Sequence, residues 1–162
     1  HKDTLAPVWI TDVYTRQEVH KMRSEEQAIL VGVGTVLADN PSLDTRDWYG
    51  KNPLRVIIDP HLHATKEFKV WNDLQPTLFI TNKEKVSDKN YGVQTEIIGI
   101  DFTHNVPQQI CDLLYQRNIQ SLIVEGGAYT LQQFINAGLY NEMRIYKSEV
   151  TFGEGVKAPQ IS

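Results

Sequence analysis

Residues 29–46 hold the pattern that is best suited to binding chemistry. An apolar run typical of a buried strand ends at Gly32 and Gly34, and a polar loop that carries Asp39 and Arg46 follows it. A strand that runs through glycines into a helical turn presents bare backbone N–H groups, which favour an anionic ligand. We therefore interpret this segment as the floor of a binding site.

A second strand end has the same character. The predicted buried strand at residues 121–124 leads into Glu125, Gly126 and Gly127 just ahead of a helix. Glycine at this point lets a diphosphate approach the helix N-terminus. A tight turn explains either glycine pair alone equally well, but two such turns in one chain favour nucleotide binding. The carboxylate of Glu125 either accepts hydrogen bonds from an amino-substituted ring or caps the helix.

Other charged and imidazole side chains give weaker signals. Arg23 and Arg46 are suited to two-point binding of a phosphate or carboxylate, although each alone is more often part of a surface ion pair. His61 and His63 resemble a metal pair, but no nearby acid or cysteine completes a site, so we interpret them as surface histidines. His20, on the first predicted helix, is also expected at the surface. Hydrolytic and metal chemistry therefore lack candidates.

Length and composition predict one folded domain. The chain has 162 residues with a net charge of −4, and its acidic and basic residues are well mixed. This charge argues against nucleic acid or an anionic membrane as the main partner. No apolar run approaches the length that spans a bilayer. The single cysteine, Cys111, is interpreted as a core side chain, and a lone cysteine makes a reducing compartment, the cytoplasm, the expected location.

Apolar strands alternate with amphipathic helices along the sequence. The patterns predict a helix of about four turns that Thr11 or Asp12 caps, a helix that begins at Pro107, and another over residues 129–137. Strands are predicted at residues 28–31, 54–58, 77–80, 95–98, 121–124 and 143–150. This alternation indicates an α/β fold whose largely parallel sheet is covered by helices on both faces.

Five motifs together resemble one known family. They are Trp-Ile-Thr at 9–11, His-Lys-Met-Arg at 20–23, the run at 28–43 with Arg46, Pro-Leu-Arg-Val-Ile-Ile-Asp at 53–59, and Leu-Ile-Val-Glu-Gly-Gly at 122–127. In register along essentially the whole chain, they resemble the reductase domain of the bacterial riboflavin-biosynthesis deaminase/reductase. The resemblance implies a dihydrofolate-reductase-like fold and a single reductase domain over residues 1–162.

The resemblance also implies an activity. NADPH would reduce 5-amino-6-(5-phosphoribosylamino)uracil to the ribitylamino compound by hydride transfer to C1′ of the ring-opened ribose. The partner would be this small phosphorylated pyrimidine, with no metal, nucleic acid or membrane, and the protein would be a homodimer. Two alternatives stay open: a sister reductase of the 2,5-diamino pyrimidinone phosphate or a pteridine-like substrate, and a non-catalytic nucleotide-binding or dimerisation module.

Roles for individual residues follow from the resemblance by position. Substrate would be contacted by Arg23, Leu43, Arg46 and Glu125, of which Glu125 would serve the pyrimidine and be the catalytic residue. NADPH would be lined by Trp9, Thr11, Thr35 and Asp39, and its diphosphate would be received by Gly126, Gly127 and Ala128. From position and charge alone, we place the 2′-phosphate at Thr81, Asn82 and Lys83.

Two departures from the family pattern stand out. The family's first strand, with its lysine and its Ser-x-Asp-Gly-like turn, does not occur in this sequence. Pro7 stands where many members have a small polar residue that touches substrate. Because the absent strand would be central to the sheet, we expect the protein to continue upstream of His1, where many relatives carry a zinc deaminase domain.

Overall fold

Five apolar segments form the strands of one sheet. The computed structural model describes residues 12–86, 91–147 and 155–161. Its strands are β1 (Ala28–Gly32), β2 (Leu54–Ile58), β3 (Thr77–Asn82), β4 (Thr95–Ile100) and β5 (Leu122–Gly126). They lie in the order β4-β3-β2-β1-β5, and each neighbouring pair is parallel. All five carboxyl ends therefore meet at one edge of the sheet, where ligands bind in open α/β folds.

Helices connect the strands as local signals predict. They are α1 (Val13–Glu25), α2 (Val33–Asp39), α3 (Val106–Gln116) and α4 (Ala128–Asn136), with short 3₁₀ turns at Lys69–Trp71 and Lys83–Lys85. Asp12 caps α1, because its carboxylate accepts a hydrogen bond of 2.7 Å from the N–H of Thr15. Pro107 lies in the first turn of α3, where its missing N–H costs nothing.

Both faces of the three central strands, β1 to β3, are buried, as is typical of parallel sheets. Alternate strand residues point to opposite faces, so neighbouring positions enter different cores. One core joins Leu30, Val56 and Leu78 to Ile110 of α3 and Phe134 of α4. The other core joins Ile29, Ile57 and Phe79 to Val36 of α2 and Val70 of the first 3₁₀ turn. The predicted α/β fold with helices on both faces is confirmed.

A buried cation fixes the connection between β2 and β3. The side chain of Arg55 is 1% exposed. Its guanidinium donates four hydrogen bonds of 2.8–3.0 Å, which end on Thr77 Oγ1, Asn72 Oδ1 and the main-chain oxygens of Lys69 and Gln75. All four acceptors are neutral oxygens. Arg55 therefore holds the connection against the sheet by directional hydrogen bonds rather than by a carboxylate partner.

The predicted strand at the end of the chain is wrong where the structure can test it. Residues 142–147 form no strand or helix, and residues 148–150 lie outside the described part of the chain. The other five predicted strands are confirmed, and β3 extends through Thr81 and Asn82. Cys111 is partly buried against the α3–α4 core, in agreement with a packing role.

The five described strands are contiguous, and β1 is paired on both sides. An additional upstream strand would therefore have to join beside β4 or β5. On β5, the apolar Leu122, Ile123 and Val124 are only partly buried. The expectation of a strand upstream of His1 stays a prediction.

Candidate active site

The two glycine-bearing strand ends meet at the carboxyl edge of the sheet. Val31 of β1 is the register partner of Gly126 of β5. The hydroxyl oxygen of Thr35, on α2, accepts a hydrogen bond of 2.9 Å from the N–H of Gly127. A Cβ added at Gly126 would lie 3.3 Å from that oxygen, and one at Gly32 would lie 2.6 Å from the hydroxyl of Thr130. Glycine at these positions permits the close approach of α2, β5 and α4.

The N-terminus of α4 opens beside this contact. Gly127 is its N-cap residue, and no side chain of the described residues makes a capping hydrogen bond there. The N–H of Gly127 is already bonded to Thr35, so the N–H groups that follow, beginning with Ala128, are the donors available to an anion. An uncapped helix start of this kind accommodates negative charge through its N–H groups and its dipole.

Arg23 and Glu125, each predicted to bind substrate, lie in direct contact. The Nε of Arg23 donates to Oε1 of Glu125 at 2.8 Å, and Nη2 donates to Oε2 at 2.6 Å. Their side chains are 12% and 23% exposed. The carboxylate is held in a fixed plane by this two-point pairing. It keeps lone pairs on its far side that can accept from a ligand.

The loop that follows α2 closes over Arg23. The carbonyl oxygen of Asp44 accepts from Arg23 Nη1 at 3.0 Å, while the Asp44 carboxylate pairs with Arg46 at 2.7 Å. The side chain of Arg46 is 49% exposed. The exposed part of its guanidinium can still reach a ligand, although the Asp44 carboxylate balances its charge.

His20 is buried, contrary to the expectation of a surface residue. It is 4% exposed, because its ring is covered by the same loop. Nδ1 lies 2.9 Å from the carbonyl oxygen of Asp44, and Nε2 lies 3.4 Å from a carboxylate oxygen of Asp47. Burial and the nearby charges of Arg23 and Arg46 lower the pKa of His20, and the partly exposed Asp47 opposes this shift only in part.

Leu43 differs in surroundings from the other predicted contact residues. Its side chain is 2% exposed and packs in the α2 core, and its backbone has a φ of 57°. A substrate contact there would have to use the main chain. Asp39 is exposed at the end of α2. Trp9 and Thr11 lie outside the described residues.

Of the three residues predicted to bind the 2′-phosphate, two have side chains that donate hydrogen bonds within the protein. Thr81 and Asn82 lie within β3 rather than after it. Their side chains both donate to the carbonyl oxygen of Pro60, at 3.1 and 2.9 Å. Lys83 is exposed and begins the next 3₁₀ turn, and it is the charged member of the three.

Within the described residues, no three histidine, cysteine or acidic side chains cluster as a metal site would require. His61 and His63 are exposed, and their ring centroids are 5.4 Å apart. In the same part of the chain, no helix is long and apolar enough to cross a bilayer.

A protein-family model described as the RibD C-terminal domain matches residues 2–161. The chain belongs to this family. The riboflavin biosynthesis protein RibD of Aquifex aeolicus is 35% identical over 153 residues, which cover 91% of this chain and 42% of that protein. The 2,5-diamino-6-ribosylamino-4(3H)-pyrimidinone 5′-phosphate reductase of Archaeoglobus fulgidus is 31% identical over 149 residues, which cover 83% of this chain and 67% of that protein.

A solved relative agrees with the fold of this RibD C-terminal domain. It is the diaminohydroxyphosphoribosylaminopyrimidine deaminase/5-amino-6-(5-phosphoribosylamino)uracil reductase of Thermotoga maritima, with a TM-score of 0.68 and 36% identity. The match covers 80% of this chain and 35% of that one. The dihydrofolate-reductase-like fold is thereby confirmed. The chain spans less than half the length of the RibD protein of Aquifex aeolicus.

The sequence pattern wrongly predicts an exposed His20 in this RibD C-terminal domain. His20 precedes Arg23 by three positions, so both side chains lie on one face of α1. That spacing was the available signal, since a helix face that presents Arg23 to the site presents His20 to the same loop. The direct pairing of Arg23 with Glu125, 102 residues apart, has no local signal.

Proposed function

We propose that this domain reduces 5-amino-6-(5-phosphoribosylamino)uracil to the 5-phosphoribitylamino product in riboflavin biosynthesis, with NADPH as the reductant. The observation that carries the proposal is the Arg23–Glu125 pair beside an uncapped helix start, in a chain of the RibD C-terminal domain family. A fixed carboxylate suits an amino-substituted pyrimidine, and an open helix start suits a diphosphate.

The residues around α4 fit a dinucleotide. The glycines at 126 and 127 place no side chain of their own between a diphosphate and the backbone, and no described side chain caps the N–H groups from Ala128 onward. The hydroxyl of Thr35 accepts from Gly127 and keeps its own proton to donate to a ligand. Asp39 would line the same cofactor, as would Trp9 and Thr11, and Lys83 would neutralise the 2′-phosphate.

On the substrate side, Glu125 would accept hydrogen bonds from the amino groups of the pyrimidine. Arg23 would fix the plane of that carboxylate and offer its remaining N–H groups to polar atoms of the substrate. Arg46, half-exposed at the rim, would bind the phosphate. Leu43 would contribute through its main chain only.

When bound, the nicotinamide supplies a hydride, so the protein need not provide a strong acid–base pair. The task of this chain is orientation, because a hydride transfers only when donor and acceptor carbons are held in line and close together. Glu125 would bind the pyrimidine end of the substrate and Arg46 its phosphate end. C1′ would therefore lie between them. The walls formed by α2 and α4 would exclude water from that point.

A sister activity is the second candidate, because a relative from Archaeoglobus fulgidus is named as the reductase of the 2,5-diamino pyrimidinone phosphate. The two substrates differ in a single ring substituent, an amino group in place of an oxygen. Glu125 cannot accept from that oxygen, but it can accept from the 5-amino group, which both substrates carry. The geometry of Arg23 and Glu125 is therefore compatible with either substrate, and the turnover rates with the two pyrimidines must distinguish between them.

The deciding experiment measures loss of nicotinamide absorbance by the full-length protein with each pyrimidine and with NADPH or NADH. We expect faster turnover with the deaminated uracil and with NADPH. No turnover by a folded protein that binds NADPH would refute the reductase proposal and favour a non-catalytic nucleotide-binding module. Sedimentation of the same sample tests whether the protein is a homodimer. Fractionation of the cells that produce it tests whether it is cytoplasmic.

A further inference from the structure

One main-chain oxygen joins α1 to the loop that carries Arg46. The carbonyl oxygen of Asp44 lies 2.9 Å from His20 Nδ1 and 3.0 Å from Arg23 Nη1. A carbonyl oxygen has two lone pairs and can only accept hydrogen bonds. Nδ1 of His20 therefore carries a proton and donates it, whichever state Nε2 adopts. Two side chains one turn apart on α1 thus hold the same atom.

This contact is buried and is supported on its other side. His20 is 4% exposed, and Leu43 immediately before Asp44 is 2% exposed. After Asp44, both the N–H and the hydroxyl of Thr45 donate to Oδ1 of Asn52, at 3.0 and 2.8 Å. The loop is therefore held in place at three consecutive residues, 43 to 45. The middle one, Asp44, is the residue that binds Arg23.

Arg23 depends on this anchor for its orientation. Two of its nitrogens bind Glu125, and the third binds only the Asp44 carbonyl among the contacts of the described residues. If the carbonyl moved, the guanidinium could turn and carry the Glu125 carboxylate with it. The ion pair between Asp44 and Arg46 would move as well, so both ends of the substrate site would change.

We infer that His20 is a positioning residue, which sets the substrate site by fixing the Asp44 carbonyl against Arg23. This inference rests on the proposed function. His20 does not touch substrate or cofactor. It determines where Arg46 and the Arg23–Glu125 pair lie relative to each other, and so the affinity for the phosphorylated pyrimidine.

The test compares three substitutions in the full-length protein. His20→Asn keeps an N–H donor near the position of Nδ1, His20→Gln moves the amide toward the position of Nε2, and His20→Leu removes both. We expect kcat/KM for the pyrimidine to fall about fivefold in the Leu and Gln variants, mainly through KM, because one buried hydrogen bond is lost. The Asn variant should recover most of this loss, and the Kd for NADPH should not change. His104→Leu, at an exposed histidine, is the matched control.

Hydrogen exchange of the peptide that spans residues 40–49 gives a readout that needs no turnover. Exchange should be faster in His20→Gln than in His20→Asn, while the α3 peptides exchange alike. If the natural protein turns over neither pyrimidine, the proposed function fails and exchange alone decides the role of His20. Equal exchange and equal KM in the Asn and Gln variants would overturn the inference. These two variants keep the test valid even if His20→Leu does not fold.

Discussion

Glu125→Gln isolates the contribution of the charged pair at the site. The substitution preserves shape and leaves an amide oxygen that can still accept from Arg23 Nε. The new NH₂ group, however, faces Nη2, which now stands 2.6 Å from a carboxylate oxygen. Two donors then oppose each other, and Arg23 loses its counter-charge at a position where its side chain is only 12% exposed.

The expected cost lies between two limits. Breaking a fully buried ion pair costs about 3–5 kcal/mol, and an exposed pair contributes about 0–1 kcal/mol. With exposures of 12% and 23%, the Arg23–Glu125 pair is nearer the buried limit, but water still reaches the carboxylate. We expect a loss of about 2 kcal/mol in unfolding free energy, which corresponds to a Tm lower by roughly 4–8 °C for a domain of this size.

The chain provides a matched control in Arg117 and Glu96. This pair is also held at two points, through Nη1 and Nη2 of Arg117, with the same distances of 2.8 and 2.6 Å, but its side chains are 33% and 54% exposed. Glu96→Gln should therefore lower the unfolding free energy by only about 0.5 kcal/mol. Because the chemistry and distances match, the difference between the two variants measures the effect of burial.

The assay combines thermal unfolding, NADPH titration by fluorescence, and turnover. Glu125→Gln should lose activity and keep the natural Kd for NADPH, since Glu125 would face the pyrimidine. If Glu125→Gln were no more destabilised than Glu96→Gln, the pair would not be desolvated as described. If the variant kept full activity, Glu125 would not be part of the substrate site.

Three further outcomes test other parts of the structure. Arg55→Met should lower the unfolding free energy by about 3 kcal/mol in urea titrations, because it removes all four hydrogen bonds that the buried guanidinium donates. Thr35→Val should weaken NADPH binding about fivefold in fluorescence titrations. The N–H of Gly127 loses its acceptor, and with it the hydrogen bond that connects α2 to the start of α4. Burial lowers the pKa of His20 below its usual 6.5, so the unfolded chain takes up a proton first as the pH falls. The free energy of unfolding should therefore be highest above about pH 6.5 and decrease on acidification. The decrease should be smaller in His20→Asn.

The sheet and its carboxyl edge could be predicted because their signals are local. An apolar run that ends in glycine, as at Gly32, identifies both a buried strand and the turn that follows. The pairing of Arg23 with Glu125 could not be predicted, since it depends on β5 lying next to β1. His20 was misplaced because a polar residue on an amphipathic helix is usually solvated, and only the course of the loop at Asp44 covers it. The strand predicted over residues 143–150 does not form at residues 143–147, because apolar alternation needs the support of tertiary pairing before a strand forms.

The hydrogen-bond pattern of Arg55 restricts how this sequence can diverge. A lysine keeps the charge but lacks the planar fork, so it cannot serve four acceptors in fixed directions. An apolar residue at position 55 would remove one donor from each acceptor, and the side chains at positions 72 and 77 would lose the partner that they fit. Any single substitution among the three therefore passes through a destabilised intermediate sequence. In distant homologues, these positions should be inherited together or replaced together, while exposed residues between them, such as Leu74, vary freely.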